Sequence, residues 1–445
     1  MNQSIEFLNA VDSVWKKEIP EDVMARVKRS FLDYLAVTCA GAEFQKRKLE
    51  KYVEFSRPEK GEFRAVGTGK DLVLKEAVFL NGLNAHALDY DDGTNSGIIH
   101  LGSPIFSLLV PLAQRYGYGL KEMLRAAVTG YEASYTMALS IQPRHKEIGY
   151  HATGTCGTLG ATLSAAYMTG SDREEIYRAF ACACIASSGV LKALDEGSEL
   201  KPYNVAKTSL LSLTALQLAK SGFNGPADPL GGRGFLKMMT GNEDTELKPV
   251  LLDGNYAVMR TYTKPYASCR YTHPSVEAAI RLRRLVKDTD SIEEVRISTY
   301  GLAVAGHDHT DILGSYSAKM SIPYAVAAGL LYGKAGLAEF SEETIEKKQI
   351  KELTKKIKVS ADESLSRAFP ETQTAVVTLR TRNGEYTERV DFPKGEPENP
   401  LTEAEFSERY YGLMDYAGVK RSVSEEIYGS VIIGDPNVDA LVKGL

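Results

Sequence analysis

Signals of secretion, membrane spanning and nucleic-acid binding are scarce in this sequence. Its 445 residues include only five cysteines, an odd and sparse set that does not resemble the disulfide framework of a secreted protein. No stretch approaches the roughly 18 uninterrupted apolar residues that suggest a membrane span. The net charge of -5 argues against nucleic acid or an anionic membrane as the main partner. The first residues lack the apolar core of a signal peptide, so we expect a cytoplasmic protein.

Cofactor and metal motifs are missing as well. The segment Gly67 to Lys70 lacks the spacing of a phosphate-binding loop, and no Gly-x-Gly-x-x-Gly follows a predicted strand. Three glycines spaced three apart within 154–160 are better explained by close helix packing. Cys182 and Cys184 have no second cysteine pair and no histidine nearby. The sequence therefore predicts neither a nucleotide or nicotinamide cofactor nor a structural zinc ion.

The spacing of apolar residues predicts a mostly α-helical first half. From Val23 to Leu35 they recur at helical spacing, with Pro20 suited to the first turn and Gly41 to the end. Ser171 to Glu174 form a capping-box pattern ahead of another helix. Further helices are predicted over 104–118, 120–140, 155–169 and 204–221.

The pattern changes after about residue 255. Glu294 to Ser298 alternate between apolar and polar residues in the manner of a strand. Two further strand-like runs flank Arg382-Asn383-Gly384-Glu385, and Asn-Gly is a strong hairpin signal. Helices are predicted between these strands, over 317–332 and 341–356, and a capping-box pattern at Thr402 begins another helical region.

The length of the chain favours two domains over a single core. The simplest topology returns the C-terminal helices to the first domain. We therefore predict a large all-α helical domain formed by residues 1–255 and 398–445. A smaller α+β lid domain is inserted at residues 256–397.

An acidic stretch between two histidines is the most unusual local feature. Asp89, Asp91 and Asp92 follow His86 closely, and His100 comes eight residues later. Carboxylates this close repel one another, which suits a metal site or a catalytic loop. The structural alternative is an acidic cap on the helix that follows, stabilised by the helix dipole.

Three other segments carry candidate chemistry. His151 lies at the start of a helix rich in small residues, where backbone N–H groups favour anions. Lys201 precedes an apolar helix, and Lys264 shares a segment with Arg270 and His273 at the predicted domain junction, where clefts commonly form. Each has an ordinary explanation too, since a lone histidine is more often structural and lysines ahead of a helix are often solvated.

In this order, the segments resemble the MmgE/PrpD family, which includes 2-methylcitrate dehydratase, cis-aconitate decarboxylase and iminodisuccinate epimerase. The likeness begins with the H-x-x-D-[YF]-D-D stretch leading to His100, the Gly-Tyr-His and Gly-Thr-x-Gly stretch around His151, and the Lys-Pro pair at Lys201. It continues in K-P-[YF]-x-x-C-R-x-x-H, at Lys264 to His273, and in Ser317 to Tyr324. The resemblance covers essentially the whole chain.

The resemblance implies a helical domain with an inserted α+β lid, a homodimer, a site between the domains, a small polycarboxylate substrate, and neither metal nor organic cofactor. It also implies the residues of the pocket. The catalytic candidates are Asp89, His100, His151 and Lys264. The substrate-binding candidates are Lys201, Arg270 and His273, of which the last two could instead orient Lys264 or hold the lid.

These residues predict a cofactor-independent enzyme that acts at a carbon next to a carboxylate of a small di- or tricarboxylic acid. A 2-methylcitrate dehydratase-like lyase is the first interpretation. An iminodisuccinate-type epimerase, a cis-aconitate decarboxylase-like enzyme and a non-catalytic polycarboxylate-binding protein are alternatives. A metal-dependent hydrolase or lyase is another, with carboxylate and histidine ligands from Asp89, Asp91, Asp92 and His100.

The acidic stretch also departs from the family pattern. Gly93 stands where some members have Thr, the loop from Asp89 to His100 is one residue longer than in the decarboxylase-like pattern, and Leu101 replaces a familiar Pro. All three differences lie in the segment expected to face the substrate. The identity of the substrate therefore stays open.

Overall fold

Helices dominate the structure, as the apolar spacing predicts. The computed structural model describes residues 2–286 and 288–445, apart from the side chains of residues 195–197. The chain divides into two units. The first comprises the chain up to Lys192, Leu200–Thr261 and Glu403–Leu445, and the second comprises Ala193–Glu199 and Tyr262–Thr402.

Up to residue 261 the chain is helical apart from two short strands. Its elements are α1 (Gln3–Lys16), α2 (Glu21–Phe44), α3 (Lys46–Ser56), β1 (Lys60–Ala65), β2 (Lys70–Leu72), α4 (Leu74–Ala85), α5 (Gly102–Tyr116), α6 (Leu120–Ile141), α7 (Arg144–Ile148), α8 (Ala152–Met168), α9 (Arg173–Ala186), α10 (Lys201–Lys220) and α11 (Phe235–Thr240).

The rest of the chain contains the larger part of the second unit and then three helices of the first. Its elements are α12 (His273–Arg283), β3 (Ile292–Thr299), α13 (Gly301–Val304), α14 (Ser315–Met320), α15 (Ile322–Tyr332), α16 (Glu342–Ile345), α17 (Lys348–Thr354), β4 (Ile357–Ala361), α18 (Glu363–Ala368), β5 (Ala375–Thr381), β6 (Gly384–Val390), α19 (Glu403–Tyr416), α20 (Arg421–Ile433) and α21 (Val438–Val442). The mostly α fold with a small α+β part is thus confirmed. The domain boundaries and the role of the inserted part as a lid stay predictions.

Helix α8 is the centre of the first unit. Every one of its residues is buried, and it packs against α5, α6, α9 and α10. Small residues allow this packing, because a Cβ added at Gly160 would lie 1.9 Å from the Ser134 hydroxyl and 2.4 Å from the Gly130 carbonyl oxygen, both of α6. The interpretation of the regularly spaced glycines as a feature of close helix packing therefore holds for Gly160.

Three local details of the first unit differ from the predictions. Residues 60–72 form an antiparallel hairpin that was not predicted. Gly67 and Gly69, which superficially resemble part of a phosphate-binding loop, lie in its turn. The capping box of α9 is formed by Asp172 and Glu175, one residue later than predicted. Helix α2 continues to Phe44 instead of ending at Gly41, because that glycine lets α2 approach α4 closely.

The second unit contains a four-stranded mixed sheet. The strand order is β4-β3-β5-β6, with β3 parallel to β4 and antiparallel to β5. The predicted hairpin joins β5 to β6, and α12 packs against both strands. The predicted helix over 317–332 breaks at Ser321, whose hydroxyl accepts a hydrogen bond from the Tyr324 N–H and begins α15. Strand β4 was not predicted.

Among the described residues, no helix combines the length and apolar character that crossing a bilayer would require.

Gly41 offers a test of the packing of α2 on α4. A Cβ at this position would lie 2.0 Å from the backbone carbonyl oxygen of Asn84, so we expect Gly41→Ala to lower the free energy of unfolding by about 1–3 kcal/mol. Gly412 in α19 is the matched control, because a Cβ there meets nothing within 4 Å. Gly412→Ala should be neutral or stabilise by up to about 1 kcal/mol. Denaturant unfolding of both variants measures this, and equal stabilities would contradict the packing.

Candidate active site

The acidic stretch forms a buried loop after α4 in the first unit. Asp89 adopts a left-handed backbone conformation with φ of 50°, which is uncommon for any residue other than glycine. Its side chain accepts a hydrogen bond from the Lys201 ammonium, with Nζ 2.6 Å from Oδ1. Lys201 is the first residue of α10, and both residues are at least nine-tenths buried. The loop and the helix start therefore meet in a buried ion pair.

Asp91 is held by two donors. Nδ1 of His86 lies 2.9 Å from both carboxylate oxygens, and the Ser103 hydroxyl donates to Oδ2 at 2.6 Å. Burial raises the pKa of Asp91, but its interactions with His100 and His86 outweigh that effect and hold the pKa well below its usual range. Burial in turn lowers the pKa of His86 to about 4. At neutral pH the pair is an ionised carboxylate beside a neutral imidazole.

His100 lies beside both carboxylates and has a defined tautomer. Its Nδ1 is 2.8 Å from the backbone carbonyl oxygen of Asp92, which can only accept, so Nδ1 carries a proton. In the neutral ring Nε2 then has the free electron pair, and it lies 3.8 Å from Oδ1 of Asp89. The ring centroid is 4.6 Å from that of His86.

His151 completes the group as the residue that precedes α8. Its backbone N–H donates to the Gly189 carbonyl oxygen, and its Nδ1 accepts a hydrogen bond from the Asn204 side-chain amide at 3.2 Å. In the neutral ring Nε2 therefore carries the proton. Burial lowers the pKa of His151 well below its usual range, and the Lys201 ammonium lowers it further. Its ring centroid lies 6.2 Å from that of His86.

Asp92 has different hydrogen-bond partners from Asp89 and Asp91. Its carboxylate accepts hydrogen bonds from the Gly102 N–H at 2.8 Å and from the Tyr131 hydroxyl at 2.6 Å. Gly102 is the first residue of α5, so this carboxylate anchors the start of a helix, as the structural alternative for the acidic stretch supposed. That alternative describes Asp92, whereas Asp89 and Asp91 face Lys201 and the histidines.

Two of the departures from the family pattern, Gly93 and the extra residue, lie in a small turn between Asp92 and His100. Thr94 and Ile99 pair through two backbone hydrogen bonds, and Ile98 has a φ of 48°. The Thr94 hydroxyl is buried and has no hydrogen-bond partner among the described residues. The longer loop is thus folded into a turn that encloses the Thr94 hydroxyl.

The second unit holds the other three predicted residues. Lys264 is fully buried. Arg270 forms an ion pair with Glu396 and donates to Nδ1 of His273 at 2.8 Å, and Nε2 of His273 faces the Ser268 carbonyl oxygen at 3.2 Å. Arg270 and His273 therefore belong to a buried network. Participation of these three residues in substrate binding or catalysis stays a prediction.

The structure thus brings Asp89, His100, His151 and Lys201 together and adds partners that sequence reasoning left out. His86 and Ser103 hydrogen-bond to the neighbouring Asp91, and Asn204 contacts His151, but none of the three was predicted as a site residue. The signal for His86 was its place three residues before Asp89, at the start of the acidic motif. Ser103 and Asn204 carried no signal, because common polar residues become informative only once their contacts are known.

The comparisons with known proteins follow this geometry. Sequence models of the MmgE/PrpD N-terminal domain and of the MmgE/PrpD C-terminal domain match residues 6–248 and 266–431, respectively. The chain therefore belongs to the MmgE/PrpD family, as its motifs indicated.

Three curated relatives carry names that mention one activity. The cis-aconitate decarboxylase-like protein oryM of Aspergillus oryzae is 24% identical over 371 residues, covering 78% of this chain and 77% of its own length. The cis-aconitate decarboxylase of Mus musculus is 22% identical, with coverages of 91% and 85%. The cis-aconitate decarboxylase of Homo sapiens is 20% identical, with coverages of 91% and 86%. At such identities the likeness defines the family and leaves the substrate open.

A metal ion remains an alternative occupant of this group. One donor atom from each of His86, Asp89, Asp91 and His100 lies within 4.8 Å of the others. Several of these donors already have partners, because Asp89 accepts from Lys201 and Asp91 accepts from His86 and Ser103. A cation would have to displace an ammonium group or share its carboxylate. The donor set therefore fits a hydrogen-bonded acid–base site better than a metal site.

Chelation tests this interpretation. We expect full turnover after prolonged treatment with EDTA and removal of the chelator, because Lys201, His86 and Ser103 already donate to these carboxylates. Activity that disappears and returns on addition of Mg²⁺ or Mn²⁺ would contradict it.

Proposed function

We propose that the protein is a cofactor-independent lyase acting beside a carboxylate of a small di- or tricarboxylic acid. The buried Lys201–Asp89 pair, with the rings of His86, His100 and His151 around it, carries the proposal. A buried cation favours an anionic ligand, and histidines supply proton transfer near neutral pH. The names of the relatives add support for a polycarboxylate.

Lys201 binds a substrate carboxylate. Its ammonium group donates to Asp89 at 2.6 Å and can share its N–H donors among several anionic acceptors. A substrate carboxylate beside it brings a further negative charge to this buried cation. Asp89 orients Lys201 before the substrate arrives, which reduces the ordering that binding requires.

The tautomers of the two histidines suggest their roles. His100 has its free electron pair on Nε2, so it is the base that removes a proton from the carbon beside a carboxylate. His151 presents Nε2–H because its Nδ1 accepts from Asn204, and the negative charge of a bound substrate raises its pKa, so its imidazolium form is the proton donor. The ionised Asp91 and the neutral His86 hold His100 from its other side.

These roles serve either type of lyase. In dehydration His100 takes the proton from carbon while His151 gives one to the departing hydroxide, so water leaves and a double bond forms. In decarboxylation carbon dioxide leaves with its bonding electrons retained on carbon, and His151 supplies the proton that carbon then takes up. The solvent returns that proton to His151.

Cis-aconitate is the first substrate to test, because two relatives are named as its decarboxylases and a third as decarboxylase-like. This choice places decarboxylation ahead of 2-methylcitrate dehydration. Dehydration and epimerisation of an iminodisuccinate-like acid remain the second candidates, since the same two histidines would serve them. We also propose a cytoplasmic homodimer, on the family resemblance alone.

The activity is tested with a panel of cis-aconitate, citrate, 2-methylcitrate and iminodisuccinate followed by NMR in deuterium oxide. Release of carbon dioxide and deuterium on the product carbon is the expected result with cis-aconitate. Loss of water would indicate a dehydratase, and solvent deuterium at the α-carbon without net product would indicate an epimerase. A higher melting temperature without turnover of any acid would indicate a binding protein.

With the active substrate, His151→Ala should lower turnover by at least ~10²-fold, because one proton-transfer group is removed. His151→Gln is the matched variant, since it keeps a hydrogen-bonding amide in place but cannot release a proton at neutral pH. It should be as inactive as the alanine variant, with melting curves like that of the wild type. Near-full activity in either variant would remove His151 from the mechanism.

A further inference from the structure

An arginine of the C-terminal region contacts the acidic loop from the interior of the first unit. Arg409 of α19 forms an ion pair with Asp33 of α2. Its Nη2 also donates to the backbone carbonyl oxygen of Tyr90 at 2.8 Å, and its guanidinium lies 4.3 Å from the centroid of the Tyr90 ring. One side chain thus joins two helices to the residue that separates Asp89 from Asp91.

Stability alone is a poor explanation for this arrangement. The side chains of Arg409 and Asp33 are only 6% and 3% exposed, and burying a charged pair costs desolvation that its attraction often fails to recover. Burial raises the pKa of Asp33 to about 6 even though Arg409 opposes the rise. Apolar residues of similar size would often serve the core as well. Apolar residues could not, however, donate the hydrogen bond that Arg409 donates to the Tyr90 carbonyl oxygen.

We propose that Arg409 is a positioning residue that sets the place of the Asp89 carboxylate through Tyr90. Asp89 is held in a left-handed conformation, and such backbone persists only where its surroundings over-determine it. Arg409 fixes both the ring and the carbonyl group of the next residue, which denies Asp89 the freedom to relax. The position of Lys201 depends on Asp89 in turn, at 2.6 Å.

This inference rests on the proposed function, in which Asp89 orients Lys201 for the substrate. Displacement of reacting groups by about 1 Å can cost ~10²-fold in rate. Loss of Arg409 should therefore lower kcat more than it raises KM, because Lys201 still provides a cation for the substrate. A residue that only stabilised the fold would change the melting temperature and leave both constants of the folded enzyme unchanged.

A pair of variants separates the two roles. Arg409→Met leaves the Asp33 carboxylate buried without its guanidinium, so this single variant should melt at a lower temperature. Asp33→Asn/Arg409→Met removes the buried charge and should regain most of the lost melting temperature. In the double variant kcat should remain at least ~10-fold below that of the wild type while KM changes less than ~3-fold. A double variant with wild-type kcat would overturn the proposal.

Two further variants serve as controls. Asp33→Asn alone keeps the contact of Arg409 with Tyr90, so its turnover should stay within a few-fold of the wild type. Arg409→Lys keeps a positive charge beside Asp33 but lacks the planar group that reaches both partners. Its kcat should fall even though the fold retains its buried charge pair, which secures the test if the methionine variant does not fold.

A measurement without substrate distinguishes failure of this inference from failure of the proposed function. NMR titration of His151 reports its surroundings directly. In the folded double or lysine variant the pKa of His151 should rise toward its usual value, because a displaced Asp89–Lys201 pair admits water and moves the ammonium away. An unchanged titration would overturn the positioning role, whether or not any acid on the panel is a substrate.

Discussion

The ion pair between Lys201 and Asp89 is the interaction on which the candidate site depends. It joins the loop after α4 to the first residue of α10, and both partners are nearly buried. Such a pair is expensive to desolvate and breaking it leaves a buried charge, so it persists where surrounding groups hold it in place. His100 lies beside this pair, with Nε2 3.8 Å from the Asp89 carboxylate, and the buried Asp91–His86 pair lies next to His100. A buried ammonium that is paired with a carboxylate and lies among imidazole rings is suited to an anionic substrate that exchanges protons.

Packing of small residues places the histidines around this pair. Helix α8 is buried along its whole length, and Gly160 lets α6 approach to a distance that any side chain there would prevent. His151 immediately precedes this helix, and the backbone N–H of His100 donates to the Thr153 hydroxyl in its first turn at 3.1 Å. The two rings are therefore held from a rigid helix start, which is the kind of support that positioned acid–base groups require. Mobile loops would fix the orientations and tautomers of the two histidine rings less well.

The mostly α fold, the family and four of the residues that meet in the candidate site could be predicted from the sequence. Helices with regular apolar spacing, such as α2, α5 and α6, are predicted directly by that spacing. The order of the motifs identified Asp89, His100, His151 and Lys201. Helix ends were predicted wrongly where contacts with other helices explain the residue at that position. Gly41 lies inside α2 instead of at its end, because the close approach of α4 leaves no room for a side chain there. The different roles of the three aspartates could not be predicted from the sequence either. Only the hydrogen bonds from Gly102 and Tyr131 show that Asp92 anchors the start of α5. Arg409 could not be found at all, since it lies more than three hundred residues from Tyr90.

Binding of a polycarboxylate by Lys201 is the central claim, and ligand-induced stabilisation tests it most directly. The melting temperatures of wild type, Lys201→Met and Lys220→Met are measured with and without cis-aconitate, each against its own ligand-free value. Lys220 ends the same helix and pairs with Glu175 on the surface, so it controls for loss of a lysine from α10. The ligand should raise the melting temperature of the wild type and of Lys220→Met but not that of Lys201→Met. An equal rise in all three proteins would contradict the assignment of Lys201 as the carboxylate-binding group.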